Sequence, residues 1–230
     1  GNLVACSKTV ADKINGLHGY NNIKYVQNGI DQESFCTSID KNLNIRNELG
    51  ISSDKLVYVF CGYLSKRKNV EFLIEAWEKS ENHKSLLLII GDGPQYNELK
   101  NRVNNNNRII MLGKRLEISR YLTSADYFIS SSLSEGLPLA VMEGLAVGLP
   151  AILSNIPSHL EIKDLGSEAI DIFSLENIDT LIKIIQEKEG KQVSESNKIA
   201  ARSIIEEKLN AKEMALSYEN LYIKSLNDKI

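Results

Sequence analysis

Short runs of apolar residues alternate along the chain with segments whose apolar positions recur at helical spacing. The runs predict strands over Leu3–Cys6, Lys24–Gln27, Leu56–Cys61, Leu86–Ile90, Arg108–Leu112, Asp126–Ser130, Pro150–Leu153 and Ala169–Phe173. Several are apolar throughout, the pattern of strands covered on both faces. Between them, Asn69–Lys79 sets Val70, Leu73, Ile74 and Trp77 at i, i+3, i+4 and i+7, one buried stripe. Pro94–Val103, Glu117–Ser124 and Pro138–Val147 are further predicted helices, two of them with proline at the first position. Such alternation predicts an α/β fold with a doubly wound parallel sheet. In these sheets ligands lie beyond the carboxyl ends of the strands, so the turns after strands are where function is expected. From about Glu176 the pattern is helical only, and Ala211–Asn227 sets Met214, Tyr218, Leu221 and Tyr222 on one face.

Composition changes this picture little. The chain has 230 residues, 43% of them hydrophobic and 25% charged, as in an ordinary globular domain. A net charge of −3, with no long basic run, argues against nucleic acid as a partner. Cys6, Cys36 and Cys61 are odd in number and lack CxxC spacing, so neither a disulfide framework nor a zinc site is expected. The longest apolar run, Leu56–Cys61, is too short to span a membrane. A cytoplasmic place follows as the expectation.

Candidate chemistry sits in four strand-end turns. The stretch Ser134–Gly144 reads SEGLPLAVMEG, two carboxylates around an apolar helix start. The first amides of that helix lack backbone partners and lie at the positive end of its dipole, and Gly136 lets a ligand approach closely, which makes a phosphate site. Glu135 sits at its rim, and Glu143 lies about a turn and a half inside, about 80° around the helix. One carboxylate can then accept hydrogen bonds from hydroxyls near the phosphate and the other from a ribose. A plainer alternative stands beside this: Glu135 favours a helix N-terminus and Glu143 is solvated. The turn Gly62–Asn69, GYLSKRKN, carries Lys66, Arg67 and Lys68, which either neutralise a diphosphate or form a solvated basic loop. Gly91-Asp92-Gly93-Pro94 is read as a tight architectural turn, without a dinucleotide fingerprint. Gly113-Lys114 follows another strand and is no Walker loop, yet its backbone can line a base pocket. His18, His83 and His159 have no partner at metal-ligand spacing, and each is expected on the surface or in a loop. The serine run Ser130–Ser132 has no G-x-S-x-G elbow.

In order, VACSKTVADKI, IKYVQNGID, FCGYLSKRKNVEFLIEAW, LLIIGDGPQYNEL, RIIMLGK and ADYFISSSLSEGLPLAVMEGLAVGLPAILS resemble the C-terminal, donor-binding half of the retaining group 1 glycosyltransferases (family 4) of the GT-B fold. The resemblance covers nearly the whole chain, and the E-x7-E spacing with EGLP and A-x-G-x-P is its most specific part. It implies a Rossmann-like domain that holds a nucleotide-diphosphate sugar and transfers the sugar with retention, with no cofactor and no obligatory metal. Glu135 resembles the first acid, beside the transferred sugar, and Glu143 the second, on the ribose hydroxyls. The amides of Gly136 and Leu137, before Pro138, would take the diphosphate; Lys68 resembles its lysine partner, Gly62 opens that turn, and Gly113 and Lys114 resemble the loop at the base. One departure stands out: Tyr63 occupies the place of the family's phosphate-binding arginine, so either Lys66 or Arg67 would substitute or diphosphate binding would be weaker. Asn69 replaces a usual glycine.

The resemblance also divides the chain. Residues 1–30 would be a remnant of an N-terminal half and linker, 31–208 the nucleotide-sugar domain, and 209–230 a helix returning to that missing half. The expected partners are the donor, the missing half, and a glycan or lipid-linked acceptor, with the inner membrane face as a candidate place. Such a piece is expected to bind nucleotide without turning over sugar, with Met214, Tyr218 and Leu221 partly exposed. Two rivals are a catalytically dead nucleotide-sensing or partner-binding domain, for which Tyr63 speaks, and an epimerase or phosphorylase of the same fold.

Overall fold

A computed structural model of the chain describes residues 3–17, 20–36, 45–80 and 84–227. Two short parallel strands open it, β1 (Val4–Ala5) and β2 (Lys24–Tyr25), with helix α1 (Lys8–Asn15) between them. Short helices α2 (Gln32–Cys36) and α3 (Ile45–Glu48) lead into the main sheet. Its six strands are β3 (Leu56–Cys61), β4 (Ser85–Ile90), β5 (Ile109–Gly113), β6 (Tyr127–Ser130), β7 (Ala151–Ser154) and β8 (Ile170–Phe173). All pairs are parallel, in the order β5-β4-β3-β6-β7-β8. The predicted doubly wound, Rossmann-like sheet is therefore observed. The chain starts at the centre, runs outward to β5, then returns to lay β6 against the other side of β3. The turns after β3 and β6 thus face each other where the winding reverses, the position at which such sheets bind ligands.

Both faces of the sheet are covered, which explains why β4 is buried along its whole length. Val57, Val59, Leu88, Phe128, Met142 and Ile205 form one core, under α7 (Leu139–Ala146) and α10 (Glu195–Glu207). Tyr58, Phe60, Leu73, Trp77, Ile89 and Ile185 form the other, under α4 (Val70–Lys79) and α9 (Ile178–Lys188). Tyr58 anchors this second core, edge-on to Trp77 at 5.1 Å and stacked on Tyr127 at 5.2 Å. Helix α5 (Tyr96–Val103) and α6 (Ile118–Leu122) flank the β5 edge.

Proline placement differs from expectation. Pro138 is the N-cap of α7, not its first residue, and Pro94 precedes the Gln95 cap of α5. The proline inside a helix start is Pro157 of α8 (Pro157–Lys163), a helix the apolar pattern did not predict. Its seven residues are too few to display a period. Glu161 of α8 accepts from the Lys8 and Thr9 amides at 3.0 and 2.9 Å and from Gln27 at 2.7 Å, so it caps α1 and docks the first thirty residues. Burial works against the charge of Glu161, and these hydrogen bonds overcome it, holding its carboxyl below the usual range.

Helix α11 (Ala211–Asn227) has no buried residue. Met214, Tyr218 and Leu221 are half-buried, whereas Leu216, Tyr222, Ile223 and Leu226 are exposed. Its start is clipped to the first segment. Ile30 N–H donates to Leu209, Ala211 N–H donates to Ile30, and a Cβ on Gly29 would lie 2.2 Å from the Asn210 carbonyl oxygen.

Candidate active site

The two turns at the reversal point meet through charge. After β3 the chain makes a 3-10 turn, Lys66–Lys68, that ends with Asn69 at φ 52°. This left-handed conformation suits glycine and is tolerated by asparagine, so the substitution at this position has a backbone reason. After β6 come Ser131, Ser132 and the EGLP turn. Ser131 Oγ binds the Lys68 and Asn69 carbonyls, at 3.1 and 2.8 Å, and the Leu133 amide donates to the Arg67 carbonyl at 2.8 Å. The turns are thereby laced together.

Glu135 is the centre of this arrangement. Lys68 Nζ lies 2.5 Å from Oε1 and Arg67 Nη1 lies 2.7 Å from Oε2. Arg67 also donates to the Ser134 carbonyl, and Ser132 Oγ donates to Glu135 Oε1 at 2.7 Å. Only 7% of the carboxylate side chain is exposed. Burial pushes its pKa up, but the Lys68, Ser132 and Arg67 hydrogen bonds prevail and hold it below the usual carboxylate range. Of the other two cations of this turn, Arg67 reaches Glu135 and Lys66 is exposed without a side-chain partner among the described residues.

Glu143 behaves in the opposite way. It is half-buried on α7 and has no hydrogen-bond or ion-pair partner among the described residues. Burial alone raises its pKa. Its charge also helps burial push the Cys61 thiol up to about 12, so the carboxylate faces the end of β3. There a cleft of about 540 Å³ opens, walled by Gly62, Tyr63, Gly91, Asp92, Lys114 and Arg115 over an apolar floor of Cys61, Ile90 and Ile118. Tyr63 is 61% exposed at its wall. Gly113, at φ 69°, accepts from the Gly91 amide and turns the chain so that Lys114 lines the cleft.

The EGLP turn itself is braced from behind, where Ser7 Oγ donates to the Gly136 carbonyl at 3.1 Å. The Gly136 and Leu137 amides meet no acceptor among the described residues, and they lie just ahead of α7, at its positive end. Pro138 has no amide to give and caps the helix.

One expectation is corrected. His159 is neither a surface nor a loop residue: it lies on α8, fully buried, with Nδ1 against Ser154. Pro157 at a helix start, directly after β7, is the signal that places it in a helix. His18 and His83 lie outside the described residues. Among the described residues, no three His, Cys, Asp or Glu side chains gather as metal ligands, and no helix is long and apolar enough to cross a membrane.

A family model described as "Glycosyl transferases group 1" matches residues 41–202. The Escherichia coli O-antigen biosynthesis glycosyltransferase WclY is 30% identical over 200 residues, covering 86% of this chain and 54% of that protein. The Escherichia coli UDP-Gal:alpha-D-GlcNAc-diphosphoundecaprenol alpha-1,3-galactosyltransferase is 32% identical over 177 residues, 72% of this chain and 46% of that one. The chain spans about half the length of these curated relatives. Among solved structures, Anabaena HepE in complex with UDP and glucose matches 96% of this chain and 63% of its own, with a TM-score of 0.80 at 19% identity. A Rickettsia africae glycosyltransferase matches with a TM-score of 0.83 at 18% identity, over 98% of this chain and 63% of its own. With the sheet, the paired turns and the E-x7-E carboxylates in place, the match across residues 41–202 makes the chain a member of the group 1 glycosyl transferases, with the Rossmann-like architecture of GT-B enzymes.

Proposed function

We propose that this chain is the donor-binding half of a retaining glycosyltransferase that takes a sugar from a nucleotide diphosphate. The observation that carries the reading is the meeting of Lys68, Arg67 and Glu135 at the winding reversal, beside unused amides at the head of α7. The base lies in the cleft against Gly113 and Lys114, and the ribose hydroxyls donate to Glu143. The diphosphate takes the Gly136 and Leu137 amides with Lys68 and Arg67, and Gly62 lets it pass close to the backbone. The sugar then lies against Glu135. As the glycosidic bond breaks, negative charge grows on the leaving diphosphate. Fixed cations and amides stabilise that charge without reorganising, and no metal is required for it. The acceptor attacks on the leaving-group face, and the leaving phosphate takes its proton, with Glu135 orienting the sugar.

Relatives named for O-antigen synthesis and for transfer to a diphosphoundecaprenol-linked sugar support a glycan or lipid-linked acceptor, and with it we place the reaction at the cytoplasmic membrane face as part of the same proposal. Acceptor contacts belong to a further half that completes the cleft, so the chain by itself binds nucleotide and turns over no sugar.

Calorimetric titration with UDP, GDP, ADP and TDP tests this. One nucleotide should bind saturably, and Glu143→Ala should weaken it by about 10- to 100-fold, the worth of hydrogen bonds to a charged group. Because ionised Glu143 accepts from the ribose more strongly than the protonated acid and burial raises its pKa, affinity should climb with pH as the carboxyl ionises, above the usual glutamate range. A chain that binds none of the four, or a variant that binds as well as the parent, would sink the reading. It would favour the partner-binding domain for which Tyr63 speaks.

A further inference from the structure

The hydrogen bonds behind Glu135 run further than the donor site needs. His159 Nδ1 lies 3.0 Å from the Ser154 carbonyl oxygen and 3.1 Å from Ser154 Oγ. A carbonyl only accepts. The Ser154 hydroxyl spends its own proton on the Ser132 carbonyl, at 2.7 Å. Nδ1 must therefore carry the ring proton, and Nε2 is bare. Nε2 is buried and meets no protein partner among the described residues. Burial pushes the imidazole down to about 4; the Ser154 carbonyl and the Glu135 charge pull the other way, and Lys68 adds to the fall. The ring is thus neutral near physiological pH.

A buried imidazole with an idle nitrogen is a poor filler next to Ile162, which is wholly apolar and wholly buried on the same helix. The polar contacts of the ring are all made by its Nδ1 end. From there two hydrogen bonds lead to Ser132, Nδ1–H to Ser154 Oγ and the Ser154 hydroxyl to the Ser132 carbonyl, and the Ser132 side chain, fixed through its own backbone, donates its hydroxyl to Glu135 Oε1. Arg67 and Lys68 hold Glu135 from the β3 side, whereas this relay holds it from β6 and β7. On the donor reading proposed above, a diphosphate would draw on the two cations, whereas the Ser132 and Ser154 hydrogen bonds involve neither of them.

We propose that His159, fixed as the Nδ1–H tautomer, is a positioning residue that aims Glu135 through Ser154 and Ser132. The proposal rests on the reading that Glu135 meets the donor sugar. It assigns the relay to the sugar and leaves the diphosphate to the cations.

Nitrogen NMR of the imidazole and calorimetry of three variants test this. The parent should show a neutral Nδ1–H ring near neutral pH. The titrants are UDP, GDP, ADP, TDP and the glucose conjugate of each. In His159→Ala, affinity for the bare diphosphate should stay within about twofold, while the extra affinity contributed by glucose falls about tenfold. His159→Asn, whose side-chain amide sits where Nδ1–H does, should restore most of it. His159→Gln, with its amide at the Nε2 end, should not. An Nε2–H ring overturns the proposal, as does an asparagine variant no better than the glutamine one. If the parent binds no nucleotide, the donor reading fails by itself, and the relay is then judged on Glu135. Its carboxyl pKa, followed by carbon NMR, should rise in the glutamine variant and hold in the asparagine one; equal values in both overturn the relay.

Discussion

At the scale of single residues, Tyr63 lies exposed on the cleft wall, and Arg67, four residues on, reaches Glu135. Arg67 is half exposed and shares its charge with a carboxylate and a carbonyl, so in the proposed donor site it would be a weaker diphosphate ligand than a free guanidinium. Tyr63→Arg should therefore strengthen diphosphate binding by about 1.5–3 kcal/mol, measured by the same titration, and no gain would mean that Arg67 already fills the role. The placing of Glu135 and Lys68 in facing strand-end turns, and of Glu143 on the helix that follows, is legible because their spacing after a strand fixes it. That of His159 is not, since a lone histidine reads the same in a sequence whether it is exposed or buried. Its meaning comes from Ser154 and Ser132, five and twenty-seven positions away, brought alongside it only by the sheet.

At the scale of elements, the turns matter as much as the strands. Gly91 sits at φ 147°, and a Cβ there would lie 1.8 Å from the Gly62 carbonyl oxygen. The GDGP turn is thus what lets the ends of β3 and β4 close into one cleft wall. Gly91→Ala should cost roughly 2–4 kcal/mol of stability and reduce nucleotide affinity, read from a melting curve and a titration of the same sample. The strands were predicted to within one or two residues at each end because continuous apolar runs mark doubly covered strands. The short helices α1, α2, α3 and α8 were not, because four to eight residues show too little period. The serine run after β6 was read only as a nucleophile that fails. Its use is mechanical, with Ser131 lacing one turn to the next and Ser132 holding the acid.

At the scale of the whole molecule, the clip between Gly29–Ile30 and Leu209–Ala211 joins the first segment to the last helix at the two positions where the sequence suggested a division. α11 therefore leaves the body beside the segment that enters it, its apolar Leu216, Tyr222, Ile223 and Leu226 turned outward. The pairing of Glu135 with Lys68 and Arg67 has a further consequence. The carboxylate is a resident anion on the two cations. If the proposed donor site is right, donor binding would be an exchange of one anion for another, with the cations already ordered and partly desolvated. Departure of the spent nucleotide would be the reverse exchange, helped by an acid that never leaves. Affinity should in consequence fall with added salt less steeply than two free surface cations would dictate, and Glu135→Gln should steepen that dependence while tightening the hold on bare diphosphate. The acid at the centre of the site would then act as the group that lets the product go.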